Sequence, residues 1–213
     1  MKTPNSNLMQ KKYIAVSGNM GVGKSTLVDF LCKTYKLKPF FEPNDFNPYL
    51  ANFYDDMKTW AFKSQIFFLS RKFRIHQDLG RSRAKEPVIQ DRTIYEDAEI
   101  FAMNLYKQRI MNKRDFETYY EMYQTILNAL NPPDLMIYLE CSVRTVKKRI
   151  KQRGRVMEKD IPTRYVKRLN DLYETWITKY KQSPVIRIST ERLDYMNDFI
   201  DRDDLYKKIE AYI

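Results

Sequence analysis

Short apolar runs alternate along the chain with stretches whose apolar residues recur at helical spacing. The apolar runs are residues 12–17, 38–42, 87–91, 135–140 and 185–189, each of a length suited to a strand. Strands of this kind separated by helices predict an α/β fold, a parallel sheet covered by helices on both faces. Residues 55–77 hold neither proline nor glycine and read as one long, largely apolar helix. Asn131-Pro132-Pro133-Asp134 breaks the chain before the fourth strand. Nothing resembles a flexible linker or an internal repeat, so the 213 residues read as a single domain, the first ten as a loose tail.

The first strand runs directly into Gly18-Asn19-Met20-Gly21-Val22-Gly23-Lys24-Ser25-Thr26. G-x-x-x-x-G-K-[ST] between a strand and a helix is the P-loop, whose backbone N–H groups and helix N-terminus hold phosphates. Lys24 is expected to reach the β- and γ-phosphates and the Ser25 hydroxyl to ligate Mg²⁺. The chain has five glycines and spends three of them, Gly18, Gly21 and Gly23, in this loop. Glycine is concentrated where the backbone must approach a ligand closely. The motif implies ATP or GTP with Mg²⁺.

Composition and charge then exclude other classes. Hydrophobic residues make up 43% of the chain, which argues against global disorder. No stretch approaches the roughly 20 apolar residues that span a bilayer, and no membrane partner is expected. The opening MKTPNSNLMQKK has no apolar core of a secretory signal, and the two cysteines, Cys32 and Cys141, lie far apart. A reducing cytoplasm is the expected compartment. One histidine, His76, cannot supply a histidine-based metal cluster. The net charge of +11 raises a nucleic-acid surface as one reading. Most of the excess, however, sits in residues 144–155, RTVKKRIKQRGR, with seven basic residues and no acid. One basic strip in a chain that carries a phosphate loop points to a polyphosphate, so no nucleic-acid partner is expected.

A regulatory GTPase is the binding-switch alternative. Asn112-Lys113-Arg114-Asp115 matches the guanine-reading N-K-x-D by letters. It follows a helical pattern rather than closing an apolar strand, and it reads as a turn with Asp115 as N-cap of the next helix. No D-x-x-G switch lies beyond the loop, since neither Gly80 nor Gly154 has an aspartate three residues before it.

The phosphoryl acceptor is sought at the strand tips. The third strand ends in Asp91-Arg92-Thr93, placing a carboxylate where it can act on Mg²⁺ or on an attacking hydroxyl. The second ends in Glu42-Pro43, a further acid on the same edge. On the long helix, Gln65 has Ala61, Phe62, Phe68 and Leu69 as its helical neighbours, so its amide lies on an apolar face. A buried amide needs partners, and its side-by-side donor and acceptor match the edge of a base. Trp60, Phe62 and Phe68 are core candidates, some of which can form an aromatic slot.

These residues resemble the deoxyribonucleoside kinase family. The landmarks occur in order: the GNxGxGKST loop, Glu42-Pro43, Tyr54 eleven residues before Gln65, Asp91-Arg92-Thr93, Asp97 within IYEDAEIFA, and a basic segment containing Arg149, Arg153, Arg155 and Glu158. The resemblance implies a P-loop kinase fold with a five-stranded parallel sheet, an arginine-rich lid at about 149–160, and a homodimer. It implies phosphorylation of the 5′-hydroxyl of a small-molecule deoxyribonucleoside by ATP with Mg²⁺. Glu42 and Arg92 would hold the 5′-hydroxyl, with Glu42 or Asp91 as proton acceptor and Ser25 and Asp91 near the metal. Tyr54 and Glu158 would hold the 3′-hydroxyl, Gln65 and Asp97 would read the base, and Arg149, Arg153 and Arg155 would close over the phosphoryl group. Independently of the family, Arg149 and Arg153 stand four apart on one helical face, and Gly154 lets the chain turn after them.

The chain departs from the family at Asn44-Asp45-Phe46, where Val and a downstream Trp are common, and at Lys72, where purine-accepting members tend to carry Arg. Lys72 is placed to pair with Asp97. An ionised Asp97 accepts hydrogen bonds only, which favours bases with amino or ring N–H donors and disfavours thymine. The order expected is deoxyadenosine, deoxyguanosine, deoxycytidine. A monophosphate kinase of thymidylate-kinase type shares the loop, the Asp-Arg pair and the lid. A phosphorylated acceptor would be repelled by Glu42, which favours a neutral nucleoside.

Overall fold

The structure is a computed structural model that describes residues 12–41, 47–154 and 161–212. Strands β1 (Tyr13–Gly18), β2 (Lys38–Phe40), β3 (Val88–Asp91), β4 (Leu135–Glu140) and β5 (Val185–Ser189) form one parallel sheet in the order β2-β3-β1-β4-β5. The strand order changes direction beside β1, and ligands of open α/β sheets bind at the carboxyl ends of strands at such a point. There the register sets Val16 beside Asp91 and Gly18 beside Leu139.

The central strands are buried on both faces because their side chains feed two cores in alternation. Tyr13 and Ala15 join Leu69, Leu79, Tyr119 and Tyr173 on one side. Ile14 and Val16 join Leu27, Leu31, Val146 and Ile150 on the other. The first side is covered by α3 (Met57–Arg83), α6 (Lys113–Leu127) and α8 (Thr163–Lys179). The second is covered by α1 (Lys24–Tyr35), α7 (Val143–Arg153) and α9 (Phe199–Glu210). The remaining helical pieces are α2 (Leu50–Asp55), then α4 (Ile94–Glu96), a π-helix at Asp97–Ala102 and α5 (Met103–Lys107), which follow β3 without interruption. No helix among the described residues is long and apolar enough to cross a membrane.

Two local expectations need correction. The helix read at 55–77 is two helices: residue 55 ends α2, and α3 begins at Met57 and runs on to Arg83. Asp56 makes the break, with an extended φ of −134° and a side chain that accepts from the Thr59 N–H, a helix N-cap. Its core-facing side is also less apolar than expected, since it buries Ser64, Gln65, Lys72 and His76 among Ala61, Leu69 and Leu79. At the start of α6 the cap is Asn112, not Asp115. The Asn112 side chain accepts from the Asp115 N–H at 2.9 Å, which places Asp115 in the first turn, where an acid favours the helix dipole.

Candidate active site

The phosphate loop, the carboxyl end of β3, α1, α2, α3, the π-helix, α7 and α8 line a cavity of about 890 Å³. That volume lies toward the upper end of small-ligand sites. Its two ends differ in chemistry.

At the phosphate end the backbone dictates the residues. Gly18 has a φ of +141°, and a Cβ there would lie 2.4 Å from the Leu139 carbonyl oxygen, so the strand can enter the loop only as glycine. Gly23 has a φ of +102° and sits at the N-cap of α1, which leaves the helix N-terminus open to an anion. Lys24 is buried and curls back over the loop, donating to the carbonyls of Gly18 at 2.8 Å and Asn19 at 2.9 Å. Met20 to Thr26 line the cavity, whereas Gly18 and Asn19 do not. Asn19 instead ties the loop to α8, donating to the Val166 carbonyl and to the Asn170 side chain.

Ser25 and Asp91, both assigned to the metal, are brought together: the Ser25 hydroxyl donates to Asp91 Oδ2 at 2.7 Å. Two hard oxygen donors beside a phosphate loop fit Mg²⁺, which keeps waters and borrows phosphate oxygens rather than demanding a full protein cage. No group of three or more His, Cys, Asp or Glu among the described residues is placed to hold a metal ion.

Asp91 is buried, and Arg92 next to it has a left-handed φ of 63°. Such a conformation costs a non-glycine residue about 1–3 kcal/mol, so the surroundings must hold it. Lys72, itself buried, donates to the Arg92 carbonyl at 3.0 Å, and the Arg92 N–H donates to the Val16 carbonyl at 3.0 Å. The guanidinium lies 4.8 Å from the centre of the Phe101 ring, a cation–π contact.

The residue that sequence reasoning missed is Glu96. It is fully buried and completes a capping box with Thr93, accepting from the Thr93 N–H at 2.7 Å and its hydroxyl at 3.2 Å. Its other oxygen accepts from the Tyr173 hydroxyl at 3.0 Å and the Gly18 N–H at 3.4 Å, and lies 3.8 Å from Arg92 Nε. The signal was present as Thr93-x-x-Glu96, a capping-box spacing.

At the base end, Gln65 and Asp97 are both buried and both line the cavity, with Phe68, Phe101, Phe53 and Leu105 around them. The Gln65 carbonyl oxygen has no hydrogen-bond partner among the described residues. Asp97 opens the π-helix, a rare turn that recurs at functional sites. Of the expected aromatic slot, Phe68 lines the cavity, while Phe62 packs against the core and Trp60 stacks on Tyr49. Phe101 and Tyr165 also line it and were not foreseen. Burial, then neighbouring Tyr54, pushes the Tyr165 phenol up to about 12, with Arg92 acting in the opposite direction. Tyr54 lines the cavity from α2 and is 48% exposed.

Arg149 and Arg153 both line the cavity from α7, and Gly154 ends that helix with a φ of 68°. Arg149, expected over the phosphoryl group, is otherwise engaged. Its guanidinium donates to the Val22 carbonyl at 3.2 Å, the Thr190 hydroxyl at 3.0 Å and the Thr190 carbonyl at 2.6 Å. Here it lines the cavity and also braces the loop against the end of β5. Glu42, Arg155 and Glu158 lie outside the described residues.

A parallel sheet with a glycine-built phosphate loop at its carboxyl edge and a nearby Asp-Arg pair defines the P-loop kinase fold. The deoxynucleoside kinase family model matches residues 14–213, and the chain belongs to that family. It is a deoxynucleoside kinase, a transferase. It is 35% identical over 209 residues to the deoxyadenosine/deoxycytidine kinase of Bacillus subtilis, spanning 97% of this chain and 95% of that protein. It is 36% identical over 207 residues to the deoxyguanosine kinase of Lactobacillus johnsonii, spanning 93% and 91%. Its structure is similar to that of the deoxyadenosine kinase from M. mycoides with products dCMP and a flexible dCDP bound. That match has a TM-score of 0.81 and 31% identity over 93% of this chain and 99% of the other.

Proposed function

We propose that the enzyme transfers the γ-phosphoryl of ATP to the 5′-hydroxyl of a deoxyribonucleoside, preferring deoxyadenosine, then deoxyguanosine, then deoxycytidine, as a step of nucleotide salvage. The observation that carries the preference is the buried pair Gln65 and Asp97 at the aromatic end of the cavity. The open amide oxygen of Gln65 accepts from an amino group, and its nitrogen donates to a ring nitrogen beside it. Asp97 adds a second acceptor, which suits the exocyclic amino groups of adenine, guanine and cytosine and opposes the O4 acceptor that thymine carries in place of the cytosine amino group. The relatives support this reading, being named for deoxyadenosine, deoxycytidine and deoxyguanosine.

The chemistry follows from the other end. Lys24 and the loop N–H groups hold the β- and γ-phosphates, and Arg153 with Arg155 shields the transferring group. Mg²⁺, held by Ser25 and Asp91 together with the phosphates, would neutralise charge on the phosphate oxygens. Arg92 holds the 5′-oxygen in line. The hydroxyl is far less acidic than any carboxylate, and a loose transition state needs little early deprotonation. Glu42 or Asp91 therefore orients the oxygen and takes its proton late. Tyr54 and Glu158 hold the 3′-hydroxyl.

The test is purified protein with labelled ATP and a panel of nucleosides and their monophosphates. Deoxyadenosine is expected to give the highest kcat/KM and monophosphates no turnover. Thymidine used as well as deoxyadenosine would overturn the base preference. Phosphorylation of thymidine monophosphate would overturn the neutral-acceptor assignment.

A further inference from the structure

Glu96 does more than cap a helix. A capping-box glutamate needs one oxygen for the N-cap N–H, and here Oε2 does that work at Thr93. Oε1 faces the other way and gathers three groups, two of them from distant parts of the chain. The Gly18 N–H comes from 78 residues away, at the entry to the phosphate loop, and the Tyr173 hydroxyl comes from α8. The third is Arg92 Nε at 3.8 Å, a charge contact longer than a hydrogen bond. Gly18 is also the residue whose carbonyl receives the Lys24 ammonium. One buried oxygen thus stands next to the arginine of the acceptor side and one peptide away from the lysine of the donor side.

We infer that Glu96 is a positioning residue that holds Arg92 and the phosphate loop in one frame, so that acceptor oxygen and γ-phosphoryl meet at a fixed separation. Glu96 does not line the cavity. The groups assigned to ground-state affinity are Gln65 and Asp97 for the base and the N–H groups of the cavity-lining stretch Met20 to Thr26 for phosphate, and Gly18, the loop residue that Oε1 holds, lies outside that lining. Its loss should therefore appear in the rate of the bound complex and not in binding. The inference rests on the placement of Arg92 at the acceptor hydroxyl.

The variant Glu96→Gln keeps the shape and the Thr93 cap but turns an N–H₂ group toward donors that need an acceptor. A misplacement of about 1 Å costs on the order of 10²-fold. The expected result is a fall in kcat of about ten- to a hundredfold, with KM for both substrates moving less than about threefold. Leu79→Ala, buried in the same core and away from the cavity, is the stability control. It is expected to lower Tm while leaving kcat of the folded enzyme unchanged. If Glu96→Gln does not fold, Tyr173→Phe removes one Oε1 donor without losing the ring, and is expected to lower kcat by about three- to tenfold at constant KM.

Arg92→Lys separates the two readings. Normal kcat in Arg92→Lys would overturn the placement of Arg92. A slow Arg92→Lys beside a Glu96→Gln of normal kcat, or of raised KM alone, would overturn the role of Glu96. The double variant is expected to be no slower than the slower single variant, because both act through one contact; full additivity also counts against the inference.

Discussion

The two ends of the cavity contrast in how completely each is satisfied before any substrate arrives. At the phosphate end, the Lys24 ammonium rests on two carbonyls, the Ser25 hydroxyl on Asp91, and Asn19 on α8. At the base end, the buried Gln65 oxygen has no partner among the described residues. On the proposed function, the first is the backbone device that takes the triphosphate, and the second keeps a buried hydrogen-bonding position for the base. Reaction class is built into the first, and choice of substrate into the second.

Substitutions at the two ends should therefore differ in sign as well as in size. Lys24→Ala is expected to lower kcat/KM by about 10³-fold. Because two internal hydrogen bonds go with it, Tm should fall slightly as well. Near-normal turnover with unchanged circular dichroism would break the assignment of the loop. Asp97→Ala is expected to reduce kcat/KM for deoxyadenosine and raise it for thymidine, changing their ratio by at least about tenfold. Parallel changes on both substrates would show that Asp97 does not read the base.

A smaller effect is expected at the sugar. Losing the 3′-hydroxyl should leave Tyr54 and Glu158 poorly paired. Since Tyr54 is 48% exposed, water replaces part of the lost bond. A 2′,3′-dideoxynucleoside should lose about three- to tenfold in kcat/KM, below the full cost of a buried unmet group. Equal efficiency with and without the hydroxyl would remove Tyr54 from the sugar site. The smallest effect is on stability and has the opposite sign. Gln65→Leu removes an unpaired buried amide oxygen, so thermal unfolding should show a gain of about 1 kcal/mol, while deoxyadenosine turnover is lost. A destabilised Gln65→Leu would mean that the amide is already satisfied, and the contrast between the two ends would fail.

Much of this was legible in the sequence wherever the signal is local. The five strands were readable within one or two residues: β1, β3 and β4 are buried on both faces and leave short, mainly apolar runs, while the edge strands β2 and β5 are short runs that keep exposed positions such as Lys38 and Arg187. The phosphate loop was readable because its glycines are required by positive φ. Gln65 could be found from its helical neighbours alone. The helix break at Asp56 was missed because a capping aspartate inside a run without proline or glycine looks like any surface acid. The π-helix was missed because a single widened turn leaves the apolar spacing nearly unchanged. Glu96 was missed for a different reason. Its meaning depends on Gly18 and Tyr173, brought beside it only when β1, β3 and α8 assemble. Arg149 shows the same limit, since its partners, Val22 and Thr190, lie 127 and 41 residues away in sequence and meet it only in the fold.

The resting position of Lys24 has a consequence for hydration. Lys24 is 8% exposed, and its ammonium leans on the carbonyls of Gly18 and Asn19, so much of its water was given up when the chain folded. An arriving triphosphate does not have to strip a hydrated cation. On the proposed function it exchanges neutral oxygens for charged ones a short distance away. The dehydration of the charge is settled once, during folding, and is not repeated at each turnover.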